Sequence, residues 1–298
     1  MNKTNNWHDY RKKGVADARH TVVGTLKVRE HIWSPQLKNR RDILVHLPPS
    51  YEIGVERRRY PVLYMHDGQN LFDESSSFAG EWRVDETMHM LSQLELEAII
   101  VGVPNMEKDR LAEYSPFHDP RHGPGRGDRY LAFLADTLKP LVDRDFRTLP
   151  DRAHTGIMGS SMGGLISLYG FFRRCDVFGF AGVMSPSFWY ANRAIYDYVE
   201  QAPYAPGKIY MDVGTREYGG SVTEKAARRQ SRRHYAAVRR MKRILVKKGY
   251  RPRRDLLVVE ERGAGHDEPS WARRLPLALH FLLSEAVALR ATPDEASA

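Results

Sequence analysis

An α/β layered fold is predicted for this 298-residue chain by two features of its pattern. From about Ile43 onward, short apolar, β-branched runs alternate with stretches of helical spacing, which argues against separate all-α and all-β parts. No Pro- or Ser-rich linker and no internal repeat interrupts that alternation. The chain therefore reads as a single domain over 1–298, with disordered tails at about 1–15 and 289–298.

Residues 21–28 and 43–47 are expected as an antiparallel N-terminal strand pair, the second strand ended by Pro48, Pro49 and Ser50. The core strands are placed at 61–66, 98–103, 155–159, 180–184, 209–213 and 256–260. Helical segments between them imply a mostly parallel central sheet with helices on both faces. In 128–143, Tyr130, Phe133, Leu134, Leu138 and Leu141 follow a helical stripe, with Pro140 expected near its last turns. Tyr235, Val238, Met241 and Leu245 mark another stripe, stopped by Gly249.

The formal charge of +9 is local: fourteen of the 46 Lys and Arg residues fall in 225–254, which contains no acid, so the remaining 32 face 37 acids. That segment is expected to be a helix with a solvated basic face, and no nucleic-acid partner is inferred, since no recognised binding module accompanies it. The polar, basic start lacks an apolar run, and no window approaches the roughly 20 apolar residues of a membrane span. Cys175 is the only cysteine, which excludes an internal disulfide and a multi-Cys zinc site. The expectation is a cytoplasmic protein with no membrane association.

The sharpest motif is Gly159-Ser160-Ser161-Met162-Gly163, with a β pattern before it and a helical pattern after it. A serine between strand and helix sits on a turn so tight that its neighbours must be small, and its hydroxyl projects above the sheet edge. The following helix points free N–H groups at the same spot, so Met162 N–H is a candidate oxyanion donor. A serine hydroxyl needs a general base, and on such a turn the chain order is serine, acid, histidine. The histidines after Ser161 are His234, His266 and His280. His234 and His280 fall inside helices, which are expected to hold them away from the strand ends. His266 lies in the glycine-containing loop after the last strand, where a base can hang toward the serine.

The acid belongs in the loop after the preceding strand, where Asp212 and Glu217 compete. Asp212 is still within the strand pattern, whereas Glu217 follows the Gly214 turn, so Glu217 is favoured. The second oxyanion donor is sought after the strand at 61–66, where Gly68 lets the backbone approach a substrate and Gln69 N–H is the candidate. No metal or other cofactor is expected: the Asp spacing there fails the EF-hand pattern, and no HExxH occurs. The segment from Ser185 to Lys208 is too short for a large lid and carries Phe188, Trp189 and Tyr190, with Trp189 the candidate pocket residue. Arg83, Arg110 and Arg216 flank the proposed loops and are weighed as anion holders.

Together, HDGQNLFD at 66–73, EYSPF at 113–117, FLADTLKPLVDRDFRTLPDR at 133–152, GSSMGGL at 159–165, SPSFW at 185–189, DVGTRE at 212–217 and GAGHDEPSW at 263–271 closely resemble the putative-esterase family of α/β-hydrolases. That family includes enterobactin-type siderophore esterases, feruloyl-esterase domains and, more distantly, S-formylglutathione hydrolase and mycolyltransferases. The resemblance spans roughly residues 20 to 285 in order. It implies an α/β-hydrolase fold, a Ser161–His266 pair with the acid at Glu217, an oxyanion hole from Gln69 and Met162, and Trp82 and Tyr114 as further pocket residues. The chain departs from several relatives in having Glu at the acid position. The function implied is hydrolysis of small or aromatic acyl esters, small molecules, through an acyl-enzyme. An acyltransferase with the same triad is the alternative, and a non-catalytic binding protein on this fold the third.

Overall fold

Among the described residues nine strands form one sheet: β1 (His8–Asp9), β2 (Thr25–Ser34), β3 (Asn39–Leu47), β4 (Val62–His66), β5 (Ile99–Val103), β6 (Thr155–Ser160), β7 (Phe180–Met184), β8 (Lys208–Gly214) and β9 (Leu256–Glu261). Their spatial order is β1-β2-β3-β5-β4-β6-β7-β8-β9. The structure, a computed structural model, describes residues 6–10, 20–53, 58–218 and 223–288, the side chains of 285–288 excepted. From β5 to β9 all pairings are parallel, while β1, β2, β3 and β5 pair antiparallel. Strands β4, β5 and β7 are buried along their whole length, as expected where helices cover both faces of a parallel sheet.

One face is covered by the helices Met162–Arg173, Ile195–Gln201 and Glu224–Lys248, whose Leu165, Ile195, Val238 and Met241 join the larger core. The other face is closed by Val84–Ser92 and Glu268–Ala288 through Val84, Met88, Leu275 and Leu279. Among the described residues, no helix is long and apolar enough to cross a membrane.

The six core strands lie where the sequence places them. The N-terminal pair is longer than expected, because a register shift between Arg29 and Ile32 carries β2 past the polar run Arg29-Glu30-His31, with His31 at a φ of 58°. An irregularity of this kind inverts the inside-outside alternation, so the period-2 signal breaks although pairing continues. Part of the expected N-terminal tail is also structured: β1 pairs with β2, and buried Trp7 donates Nε1–H to Asp145 at 3.0 Å. The rest of both expected tails lies outside the described residues. The helix expected at 128–143 runs from Gly127 to Asp145 with a π turn, Phe133–Leu138, in its middle, and Pro140 sits in its last turns, at the start of the final α segment Lys139–Asp145. The wider turn precedes a residue with no N–H to give an α register.

Candidate active site

Between β6 and the helix Met162–Arg173 stands one residue, Ser161, with φ 56° and ψ −117°, a conformation L-residues rarely hold. The turn demands small neighbours: a Cβ on Gly159 would lie 2.8 Å from the buried His66 ring. Ser161 N–H donates to Met184 O at 3.0 Å, and its carbonyl accepts from Leu165 N–H (3.1 Å) and Ser187 N–H (2.9 Å). The elbow is thereby fastened to the end of β7 and to the loop beyond it. The Ser161 hydroxyl shares a 3.1 Å hydrogen bond with Ser187 Oγ. Met162 opens the helix, where the first N–H groups have no partner within the helix.

The loops after β8 and β9 bring Glu217 and His266 together, with Nδ1 of the ring 2.6 Å from Glu217 Oε2. Glu217 is buried, and its other oxygen accepts from Ser185 Oγ at 2.8 Å and from Gly214 N–H. Burial alone would raise its pKa, but the hydrogen bond to His266, the neighbouring His234 and His266 charges and the Gly214 N–H outweigh it, and the carboxyl is held below its ordinary value. Asp212 has different company: Arg274 Nε donates to its Oδ2 at 2.8 Å, Tyr210 hydroxyl to the same oxygen at 3.1 Å, and Ser185 N–H to Oδ1 at 2.9 Å. Burial outweighs the guanidinium there and pushes the carboxyl up.

His234, set aside in the sequence as remote, sits on the buried stripe of Glu224–Lys248 with its ring 5.5 Å from that of His266. Burial lowers its pKa to about 4, against the pull of Glu217. The stripe Ala227, Ser231, His234, Val238 carried the signal, since polar residues there face inward. His280 is exposed on the C-terminal helix. One ligand atom each from Glu217, His234 and His266 lies within 4.8 Å of the others. These residues have the types and spacing to hold a divalent metal, which would displace the His266–Glu217 hydrogen bond.

Following β4, Asp67 adopts φ 56° and ψ 45° before the single turn Gly68–Asn70. Gly68 is required by close approach, since a Cβ there would fall 2.7 Å from the backbone of Gly102, Val103 and Pro104. The turn is held by Arg110, whose Nε and Nη2 each donate to Asp67 at 2.8 Å, and by Asn105 Nδ2 at 2.7 Å. Burial would raise the Asp67 pKa, yet Arg110 overrides it and the carboxyl stays below its ordinary value. Two expectations change here. Tyr114 is fully buried, its hydroxyl accepting Asp67 N–H at 3.2 Å, so it supports the loop and lines no pocket. Arg110 gives Nε and Nη2 to Asp67 and borders the same cleft as Ser161 with the rest of its guanidinium, so it holds the loop first.

Ser161, His266, Gln69, Trp82 and Trp271 border a common cleft of about 1020 Å³. Trp82 and Trp271 pack with ring centroids 5.6 Å apart, the latter also edge-on to His266 at 5.1 Å. Trp189 is half-exposed and lines a second cleft, of about 730 Å³, together with Tyr218 and His234. Tyr218 stacks on His266 at 6.3 Å and 10°, so the imidazole stands between the two clefts. Phe188 is core. Arg83 pairs with Glu86 at 3.2 Å, and Arg216 is exposed. Sequence reasoning missed Ser185, Ser187, Tyr218 and Arg274; the first two lie within SPSFW, a motif whose serines were given no role.

A mainly parallel sheet that hands its chain into a helix through one strained serine, with loops from later strands gathering at the same edge, defines the α/β-hydrolase class. Within that class the chain belongs to the Putative esterase family, whose pattern matches residues 34–282, and is a carboxylic ester hydrolase. It is similar to the uncharacterized protein YbbA of Bacillus subtilis (strain 168), 27% identical over 185 residues, 60% of this chain and 69% of that one. Its fold is similar to that of the siderophore hydrolase EstB from Aspergillus nidulans, at a TM-score of 0.66 and 16% identity, covering 92% of this chain and 98% of the other. The BES protein from Bacillus cereus gives a TM-score of 0.66 at 17% identity, covering 91% and 99%.

Proposed function

We propose that this enzyme cleaves esters of small or aromatic acids through Ser161 as nucleophile, His266 as general base and Glu217 as the acid that orients the ring. The observation that carries the reading is the 2.6 Å bond between His266 Nδ1 and Glu217, in a ring that borders the same cleft as Ser161. With Nδ1 committed to the carboxylate, Nε2 is left to take the serine proton. Rotation about χ1 moves the Ser161 hydroxyl from Ser187 to that nitrogen, and Oγ attacks the ester carbonyl. The oxyanion is held by the N–H groups of Met162 and Gln69, His266 protonates the leaving alcohol, and a water activated by the same nitrogen releases the acid. Glu217 stabilises the imidazolium without accepting its proton. Trp82 and Trp271 offer a flat apolar wall for an aromatic or short acyl group.

Replacing Ser161 with Ala is expected to lower turnover of p-nitrophenyl acetate by at least about a thousandfold while leaving the melting temperature within a few degrees. Replacing the adjacent Ser160 is expected to leave most of the rate. Near-normal turnover in Ser161→Ala contradicts the mechanism.

A further inference from the structure

The cleft on the Trp189 side of His266 has a chemistry that the ester-cleaving groups leave unused. Its charged lining, apart from His234, is arginine alone: Arg233, Arg240 and Arg243 from the helix Glu224–Lys248, Arg193 from the turn Ala191–Arg193, and Arg121 from the turn after Asp119. Among the described residues no acid lines it, and none of the five is in an ion pair. Elsewhere on the same helix the chain does pair its cations, Arg239 with Glu260 at 3.2 Å and Arg228 with Glu224. A merely solvated helix face turns its charges into bulk water, whereas here three separate segments aim theirs at one hollow.

The convergence is visible at Tyr196, in the wall of the cleft. The Arg240 guanidinium lies 4.2 Å over its ring. Burial raises the Tyr196 hydroxyl to about 12, while the charges of Arg240, Arg193 and Arg243 all pull it down. Unpaired guanidinium groups that share one hollow repel one another. A bound anion removes that repulsion and accepts bidentate hydrogen bonds from the planar forks. Tyr196, Tyr218 and half-exposed Trp189 add flat apolar surface between the charges, which favours a ring over a compact ion.

The cleft also touches the chemistry. Tyr218 stacks on His266, and Ser187, two residues before Trp189, meets the Ser161 hydroxyl. We propose that this cleft binds the multiply charged part of the ester substrate, carboxylate or phosphate groups carried on a planar ring, while the scissile bond lies at Ser161. The placement of the scissile bond rests on the proposed triad; the affinity of the cleft does not.

The test uses benzene-1,3,5-tricarboxylate and pyrophosphate as probes, with calorimetry on the intact protein and on Ser161→Ala. The tricarboxylate is expected to bind both alike and to weaken steadily with salt. The triple variant Arg233→Gln, Arg240→Gln, Arg243→Gln is expected to bind it at least about tenfold less tightly while hydrolysing p-nitrophenyl acetate within about twofold of the intact rate. Pyrophosphate, which has charge but no ring, is expected to bind less tightly. No binding to the intact protein, or equal affinity in the triple variant, overturns the site. Tighter pyrophosphate binding overturns the planar-ring part. If Ser161→Ala binds the tricarboxylate but keeps its esterase activity, the triad fails and the anion site stands.

Discussion

Asp212 and Glu217 are two buried carboxylates from the same end of β8, and both engage Ser185, one through its N–H and the other through its hydroxyl. Their remaining partners separate them. Asp212 is closed by Arg274, a buried cation that does not give up its proton, whereas Glu217 faces an imidazole that can. Burial alone does not mark a catalytic acid; the partner does. The two are nevertheless joined, since Arg274 Nη2 donates to Ser185 Oγ at 3.0 Å and Ser185 Oγ donates to Glu217. The Asp212–Arg274 pair thus steadies the proposed catalytic one.

Breaking the structural side has the largest expected effect. Asp212→Asn leaves Arg274 buried at 4% side-chain exposure with its main counter-charge gone, and is expected to cost about 3 kcal/mol of stability. Glu261, 2.9 Å from Arg274 Nη1, remains as a second counter-charge and keeps the loss from being larger. Turnover of the folded fraction is expected to stay within about threefold of wild type, so denaturant titration and steady-state rates on one sample separate the two effects. Abolished turnover in well-folded Asp212→Asn, with Glu217→Gln still active, redraws the triad around Asp212.

His234, buried beside His266, offers a second test through pH. Burial holds folded His234 near pKa 4 against an unfolded value of about 6.5. The unfolded chain therefore takes up the proton first as pH falls, so this group's contribution to stability is complete above about pH 6.5 and is lost toward pH 4. Relative to His234→Phe, the wild-type protein is expected to lose about 2 kcal/mol between pH 7.5 and pH 5. Parallel stability curves for the two proteins over that interval contradict the neutral, buried state of His234.

The smallest expected effect lies on the functional side. Glu217→Gln keeps the shape but removes the charge that favours the Nδ1–H tautomer of His266, and is expected to lower kcat by at least about tenfold with little change in KM. A larger KM change than kcat change places Glu217 in substrate binding instead.

How far the sequence discloses this site depends on distance along the chain. Ser161 and its oxyanion turn are local: small residues between a β-branched run and a helix are contiguous, and their pattern is legible. His266 and Glu217 follow from the order of strands, because each hangs from the loop after a readable strand. The contacts that distinguish Glu217 from Asp212 come from Arg274, far along in the last helix, and from Ser185 after β7; nothing local to either carboxylate announces them. His234 was misplaced for the same reason, since helical position tells which stripe faces inward but not which loop lies beneath it. In the fold, the core strands were legible as unbroken apolar runs, whereas β1 and the far half of β2 carry edge polarity and a register shift, which erase the periodic signal.

Three other serines lie close to the candidate nucleophile Ser161 along the chain or across the elbow, Ser160, Ser185 and Ser187, and the last meets Ser161 hydroxyl to hydroxyl at 3.1 Å. A serine-reactive aryl phosphonate followed by peptide mass spectrometry therefore tests the central claim directly. One label per chain at Ser161, formed at least about a hundredfold more slowly in His266→Ala, is the predicted result; a label at Ser187 or Ser160, or an unchanged rate without His266, contradicts it.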